Sequence, residues 1–148
     1  MSANIEYRVN TASAAQIAAH LSHCDDSFIP RLSERVDIRA YADKLAENAV
    51  RFEAWAEGML IGLVAAYCND QERRTAFITS VSVLPAWTGK GIASTLLAQC
   101  ISHVRDQHMQ LLQLEVASNN LPALKLYEKH GFVVRSSDAQ FVTATLQP

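Results

Sequence analysis

The chain has 148 residues, 49% hydrophobic and 19% charged, with no low-complexity stretch. That profile suits one globular domain with an ordinary core and excludes a disordered or fibrous protein. Thirteen basic against fifteen acidic side chains give a formal net charge of −2 with no long basic block, which argues against nucleic acid as a partner.

Met1 to Val9 carries Glu6 and Arg8 and lacks the apolar centre of a signal peptide. Within it, the alternation of Ile5 to Val9 predicts a first strand. Ser13, with Gln16 three residues on, has the spelling of a capping box and starts a helix whose apolar face is Ile17, Ala18 and Leu21. Phe28 to Arg35 reads as a loop around Pro30. A second helix is expected from about Asp37 to Asn48, where Ile38, Tyr41, Ala42 and Leu45 fall at helical spacing. Val50 to Ala56 and Met59 to Tyr67 predict a hairpin joined by Glu57-Gly58. Met59 to Tyr67 is also among the longest apolar stretches, too short to cross a bilayer, so a cytoplasmic protein with no membrane partner is expected.

Asn69 to Arg74 is a polar turn, and Thr75 to Val83 is a long β-rich run ending before Pro85. A glycine-containing loop then leads into a long helix from Gly91 to about Gln107. Leu111 to Val116 predicts a strand, and Leu121 to His130 a helix with Pro122 in its first turn and Gly131 as its stop. Phe132 to Arg135 and Phe141 to Leu146 close the chain as strands. The order β-α-α-β-β-β-α-β-α-β-β combines antiparallel hairpins with one β-α-β crossover. It predicts a single α/β (α+β) domain over residues 1–148, with a mixed, mostly antiparallel sheet of six to seven strands and about four helices. Edge strands near the C-terminus would offer a surface for a homodimer.

Cys24, Cys68 and Cys100 are odd in number and widely spaced, which fits neither a disulfide framework nor a Cys-x-x-Cys site. His20, His23 and Cys24 lie close on one predicted helix, but a metal site needs further ligands, and no metal is expected.

The most informative segment is Val81 to Leu97, where Gly89 and Gly91 stand between a strand and an amphipathic helix. Glycine lets the backbone adopt positive φ and approach a ligand closely. The first N–H groups of a helix lack intrahelical acceptors and sit at the positive end of its dipole, which makes a cradle for a pyrophosphate. Lys90 adds charge, and Thr88, Ser94 and Thr95 add hydroxyl donors. The plain alternative is a tight turn with a glycine cap. A P-loop spelling is absent, and Ser94 occupies the place of the third glycine in a dinucleotide fingerprint.

Ala86-Trp87-Thr88-Gly89-Lys90-Gly91, followed by Ile92 and Ala93, resembles the acetyl-CoA motif of the GNAT superfamily, Gln/Arg-x-x-Gly-x-Gly/Ala. Ala86 departs from the usual Gln or Arg, which removes a side-chain contact but not the backbone amides. A second segment, Leu114-Glu-Val through Asn120-x-x-Ala123 to Leu126-Tyr-Glu-Lys-His-Gly-Phe132, resembles the late strand–helix unit of the same family and is far more specific. The resemblance covers roughly Thr75 to Val134. It implies an N-acetyltransferase using acetyl-CoA as co-substrate, with Val81, Ser82 and Val83 pairing their backbone with the pantetheine arm and residues 88–94 holding the pyrophosphate. It implies that Asn120, a helix cap on local grounds, also reaches that arm. Tyr127, otherwise a core tyrosine, would protonate the departing thiolate.

A proton must also leave the attacking amine. Glu115, twelve residues before Tyr127, is the leading candidate base beside its plain reading as a salt-bridged strand carboxylate. Glu53, Glu72 and water remain alternatives. Direct attack in a ternary complex would rest on proximity, with a Val81 or Val83 N–H at the developing oxyanion. Cys68 and Cys100 have no recognisable histidine partner, which disfavours a thiol nucleophile. For the acceptor, the loop residues Phe28, Arg31 and Arg35 are the candidate contacts, the arginines suiting a carboxylate or phosphate. A small amine such as an amino acid or amino sugar is expected, with a peptide N-terminus as the alternative. A non-catalytic CoA-binding module and a purely structural domain are the rival classes.

Overall fold

The computed structural model describes residues 4–148. Residues 1–3, part of the segment read for a signal peptide, lie outside them. The elements are β1 (Glu6–Val9), α1 (Ala14–His23), α2 (Ile38–Asn48), β2 (Val50–Ala56), β3 (Met59–Asp70), β4 (Thr75–Val83), α3 (Ile92–Asp106), β5 (Leu111–Ala117), α4 (Leu121–Lys129), β6 (Val133–Ser137) and β7 (Phe141–Leu146). Among the described residues the strands form one seven-stranded sheet in the order β1-β2-β3-β4-β5-β7-β6. Every neighbouring pair is antiparallel except β4–β5, whose parallel pairing requires the α3 crossover. No helix among the described residues is long and apolar enough to cross a membrane.

Local chemistry sets the helix ends. Ser13 and Gln16 form the reciprocal capping box that their spacing predicts, and the Asp37 carboxylate accepts from the N–H groups of Arg39 and Ala40. The long α3 begins one residue later than expected, because Gly91 is a left-handed cap and not the first helical residue. β3 runs three residues past its apolar stretch, since Asp70 still pairs with Thr75 although the pattern has turned polar.

Helices cover both faces of the sheet. On one side, Ile17, Leu21, Ala42 and Leu45 of α1 and α2 pack on Trp55, Leu60, Leu63 and Ala65. On the other, Leu96, Leu97, Cys100 and Val104 of α3, with Tyr127 of α4, pack on Phe52, Val64, Ala66, Ile78, Leu112, Leu114 and Val116.

A buried charged pair ties the first of these layers to the sheet. Glu53 has no exposed surface, and its carboxylate accepts from the N–H groups of Thr11 and Ala12, from Thr11 Oγ1 at 2.6 Å and from Trp55 Nε1 at 3.0 Å. Arg51, 3.7 Å from it, donates to the carbonyls of Leu45, Ala46 and Ala49 at the end of α2 and to that of Ala12. Glu53 is therefore occupied in holding the chain ahead of α1, and the candidacy of this residue as a base falls. Glu72 lies exposed in the β3–β4 turn.

Gly62 sets how closely α3 approaches the sheet. A Cβ built there would lie 2.8 Å from Ile92 Cγ2 and 3.2 Å from Leu96 Cδ1, both on the first turns of α3. Ile92 is β-branched and stiff, so the helix itself would have to move. Gly62→Ala is expected to lower the unfolding free energy by about 1–3 kcal/mol, read by urea denaturation.

Candidate functional site

The site begins with one extra residue in β4. Ala65 of β3 pairs with Ser80, but Ala66 pairs with Ile78, so Thr79 is unmatched and forms a bulge. The parallel pairing of β4 with β5 ends at the same level, with Ile78 opposite Leu114. Beyond it, β4 stays with β3 while Glu115, Val116 and Ala117 follow β7 through Thr143, Val142 and Phe141. A wedge-shaped opening results in the middle of the sheet.

The bulge also reverses the alternation of β4. Ahead of it, Ala76 and Ile78 face the α3–α4 layer; after it, Val81 and Val83 do so, and Ser80 and Ser82 oppose Ala65 and Leu63 on the α1–α2 face. The Leu84 N–H donates to the Ile61 carbonyl at 2.8 Å. By antiparallel alternation, the backbone groups of Ser80 and Ser82 then point to β3, and those of Val81 and Val83 point into the opening. Of the three residues expected along this edge, the fold thus presents the backbone of Val81 and Val83. Ser82 turns its backbone to β3 and its hydroxyl to a histidine.

That histidine, His20, is buried on α1. Its Nδ1 lies 2.9 Å from the Leu60 carbonyl, which can only accept, so Nδ1 carries the proton; Nε2 then accepts from Ser82 Oγ at 2.8 Å. Burial depresses the His20 pKa to about 4, partly opposed by the Leu60 hydrogen bond. Cys24 Sγ lies 3.7 Å from Nε2, and burial pushes its thiol up to about 11; burial takes Cys100 to about 12. Both thiols stay protonated, which leaves neither as a nucleophile near neutral pH.

At the far end of β4, a turn at Pro85–Trp87 leads to the glycine pair. Gly89 has φ +79° and Gly91 has φ +78°, and a Cβ on either would meet nothing within 4 Å. Backbone conformation, not crowding, is what calls for glycine here. The first helical bond runs from Thr95 N–H to the Gly91 carbonyl. The N–H groups of residues 89–94 have no acceptor among the described residues, which leaves Gly89, Lys90, Gly91, Ile92, Ala93 and Ser94 as donors at the positive end of α3. Lys90 is exposed beside them. The three expected hydroxyls are engaged elsewhere: Thr88 Oγ1 donates to the Pro85 carbonyl, Thr95 Oγ1 donates to the Gly91 carbonyl, and Ser94 Oγ lies 2.8 Å from His130 Nε2.

Asn120 caps α4 by accepting from the Ala123 N–H at 3.3 Å. One face away, Tyr127 is buried and meets Phe132 edge-on, with ring centroids 5.8 Å apart. Burial raises its pKa to about 12, so it remains a proton donor at any physiological pH. Glu115 is exposed on β5, and alternation with the buried Leu114 and Val116 puts it on the α1–α2 face. Tyr127 and Glu115 therefore lie on opposite faces of the sheet.

The α1–α2 loop separates the expected acceptor residues. Arg31 forms ion pairs with Asp25 and Asp26, and Phe28 is half-buried against both cores. Hydrogen bonds from Ser33 hold the Asp25 carboxyl below its usual pKa, so it stays an anionic partner for Arg31. Arg35 instead lies over the Phe141 ring, 5.4 Å from its centroid, at a pocket of about 520 Å³ between this loop and the ends of β5 and β7. The sequence does not disclose Tyr41, whose hydroxyl is 2.6 Å from Thr79 Oγ1 and 3.0 Å from the Thr79 carbonyl at the bulge. Its helical spacing marks it as a core residue, and nothing local signals the strand partner.

The sequence profile of the acetyltransferase (GNAT) family matches residues 16–132. The chain belongs to this family. Its seven-stranded sheet and four α-helices agree with the architecture of solved GNAT structures. PaiA N-acetyltransferase from Thermoplasma acidophilum, crystallised with coenzyme A, superposes with a TM-score of 0.75 at 17% identity, over 98% of this chain and 99% of that one. L-2,4-diaminobutyric acid acetyltransferase of Virgibacillus pantothenticus is 29% identical over 87 residues, 59% of this chain and 54% of the relative. N-alpha-acetyltransferase of Saccharolobus solfataricus is 38% identical over 60 residues, 40% of this chain and 36% of the relative. The chain thus spans about half of the first relative's length and about a third of the second's.

The His20 geometry carries a pH dependence. Because its folded pKa of about 4 lies below the unfolded value of 6.5, the unfolded chain takes up the proton first. The stabilisation is complete above about pH 6.5 and is lost as pH falls toward 4, with a limiting slope of about 1.4 kcal/mol per pH unit. Denaturation midpoints across that range should fall more steeply for the wild type than for His20→Gln.

Proposed function

We propose that this protein transfers the acetyl group of acetyl-CoA to the primary amine of a small molecule, by direct attack within a ternary complex. The observation that carries the reading is the opening between β4 and β5, continuous with the unpaired amides of residues 89–94. A pantetheine chain lying there as an extra strand would satisfy the Val81 and Val83 backbone groups, and a diphosphate would satisfy the amides at the head of α3. The coenzyme in the PaiA structure supports this choice of ligand. The residues fit the coenzyme because the donors are fixed by the backbone and the α3 end is pinned by Gly62.

In this reading the thioester carbonyl rests at the bulge, where a Val81 N–H would meet the developing oxyanion. The amine approaches from the α1–α2 face, on which Glu115 lies, and loses its proton to that carboxylate or to water. Collapse expels the thiolate toward the α3–α4 face, where Tyr127 would donate its hydroxyl proton. The rings around Tyr127 exclude water from one side, and no covalent enzyme intermediate is needed. Acetylation of a peptide N-terminus is the second reading, favoured by the N-alpha-acetyltransferase relative and by the exposure of Glu115.

Release of free CoA over a panel of amines tests the proposal. Tyr127→Phe is expected to lower kcat about 10²-fold while the KM for acetyl-CoA stays within about threefold. Unchanged turnover would remove the phenol from the chemistry. Glu115→Gln should suppress the acidic limb of the pH–rate profile; a superimposable profile would assign the proton to solvent.

A further inference from the structure

Arg35 is set apart from the other cations of its loop. Arg31 is neutralised by Asp25 and Asp26, whereas Arg35 has no carboxylate within ion-pair distance among the described residues. Arg35 is also the one charged side chain lining the 520 Å³ pocket. Its guanidinium carbon lies 5.4 Å from the centre of the Phe141 ring, a cation–π contact that uses none of its N–H donors. The rest of the lining is uncharged, apolar at Ile29, Pro30 and Ala117 and polar at Ser118, Asn119 and Gln140, so it accepts a neutral side chain and offers no counter-ion for a second cation.

The pocket also adjoins the reacting end of the opening. Phe141 pairs with Ala117 at the end of β5, on the strand that leaves β4 at Leu114. The charge of Arg35 is felt by the Tyr41 phenol, and Tyr41 in turn bonds Thr79 at the bulge. The pocket therefore lies at the end of the strand that borders the opening, on the side from which an acceptor would enter. In an α-amino acid the amine is two bonds from the carboxylate carbon, so a guanidinium that fixes the carboxylate also fixes the position of the amine closely.

We propose that Arg35 is the specificity residue of the acceptor site, binding the carboxylate of an α-amino acid with a neutral side chain and thereby selecting free amino acids over peptides and diamines. The proposal rests on the acetyl-transfer reading for its biological use, but carboxylate recognition is measurable without turnover. Each bond from a guanidinium to a carboxylate is charge-assisted and oriented, and its loss leaves the anion facing an uncharged lining.

The test is calorimetric titration of the CoA-loaded protein with L-leucine and with L-leucinamide, alongside initial acetylation rates for both. The wild type should bind leucine about 10- to 100-fold more tightly than the amide. Arg35→Gln should bring the two within about threefold, and Arg35→Lys should fall between. CoA binding to both variants, read by thermal shift, should match the wild type and establishes that they are folded. Equal wild-type affinity for acid and amide, or discrimination that survives Arg35→Gln, overturns the proposal. Arg35-dependent binding of leucine without acetylation of any amine would uphold it and overturn acetyl transfer instead. Preferential acetylation of an N-terminal peptide over leucine would overturn it in favour of a peptide acceptor.

Discussion

One unmatched residue in β4 governs the rest of this molecule. A regular ladder would pair every backbone group of β4 with β3 on one side and β5 on the other. The bulge at Thr79 bends β4 away from β5 and turns Ser80 and Ser82 to the opposite face. Polar backbone groups in the centre of a sheet are thereby left for something other than protein. The distortion is held from outside the sheet, by Tyr41 at Thr79 and by His20 at Ser82, so α1 and α2 stabilise the shape of a site that their own backbones do not line. The Arg51–Glu53 pair fastens those two helices to β2.

In the proposed reaction, two kinds of recognition fall to opposite faces. On the α3–α4 side, binding capacity resides in amides and in a helix dipole, both independent of side-chain identity and both indexed by Gly62, Gly89 and Gly91. On the α1–α2 side the proposed recognition would reside in side chains, Glu115 from β5 and Arg35 from the loop after α1. Charge there depends on which residue happens to be neutralised locally, as the contrast between Arg31 and Arg35 shows. A change of acceptor preference can be accommodated on this face while the amide cradle on the other is untouched.

The order of elements was legible because each carries its own local signal: the Ser13–Gln16 box, the Glu57-Gly58 turn, Pro122 and Gly131 at the ends of α4. The glycine pair and the Asn120-to-Phe132 run were equally legible, since backbone conformation and a long ordered motif leave their mark in spelling. Long-range pairings were not. Nothing near Glu53 announces that Thr11 and Ala12 will fold back onto it, and its chemistry as a carboxylate suggested a base until four donors were seen to surround it. The bulge is silent for a similar reason: Thr79 is an ordinary strand residue, and only the register of β3 against β4 reveals the extra position. Ser82 was expected among the cofactor contacts by adjacency to the valines, and the altered alternation turns it away. The separation of Arg31 from Arg35 likewise depends on where Asp25, Asp26 and Phe141 come to lie.

The break in the sheet has a bearing on solubility. Unpaired strand edges invite other chains to add on and seed aggregates. The edge at Val81 and Val83 is recessed, bounded beyond by β5, which is itself zipped to β7, and closed below where Ile78 meets Leu114. An invading polypeptide would have to find room for side chains above and below the sheet, and both of those faces carry helices. An unbranched ligand tail brings no such bulk, so the same recess that admits a slender molecule keeps neighbouring proteins out.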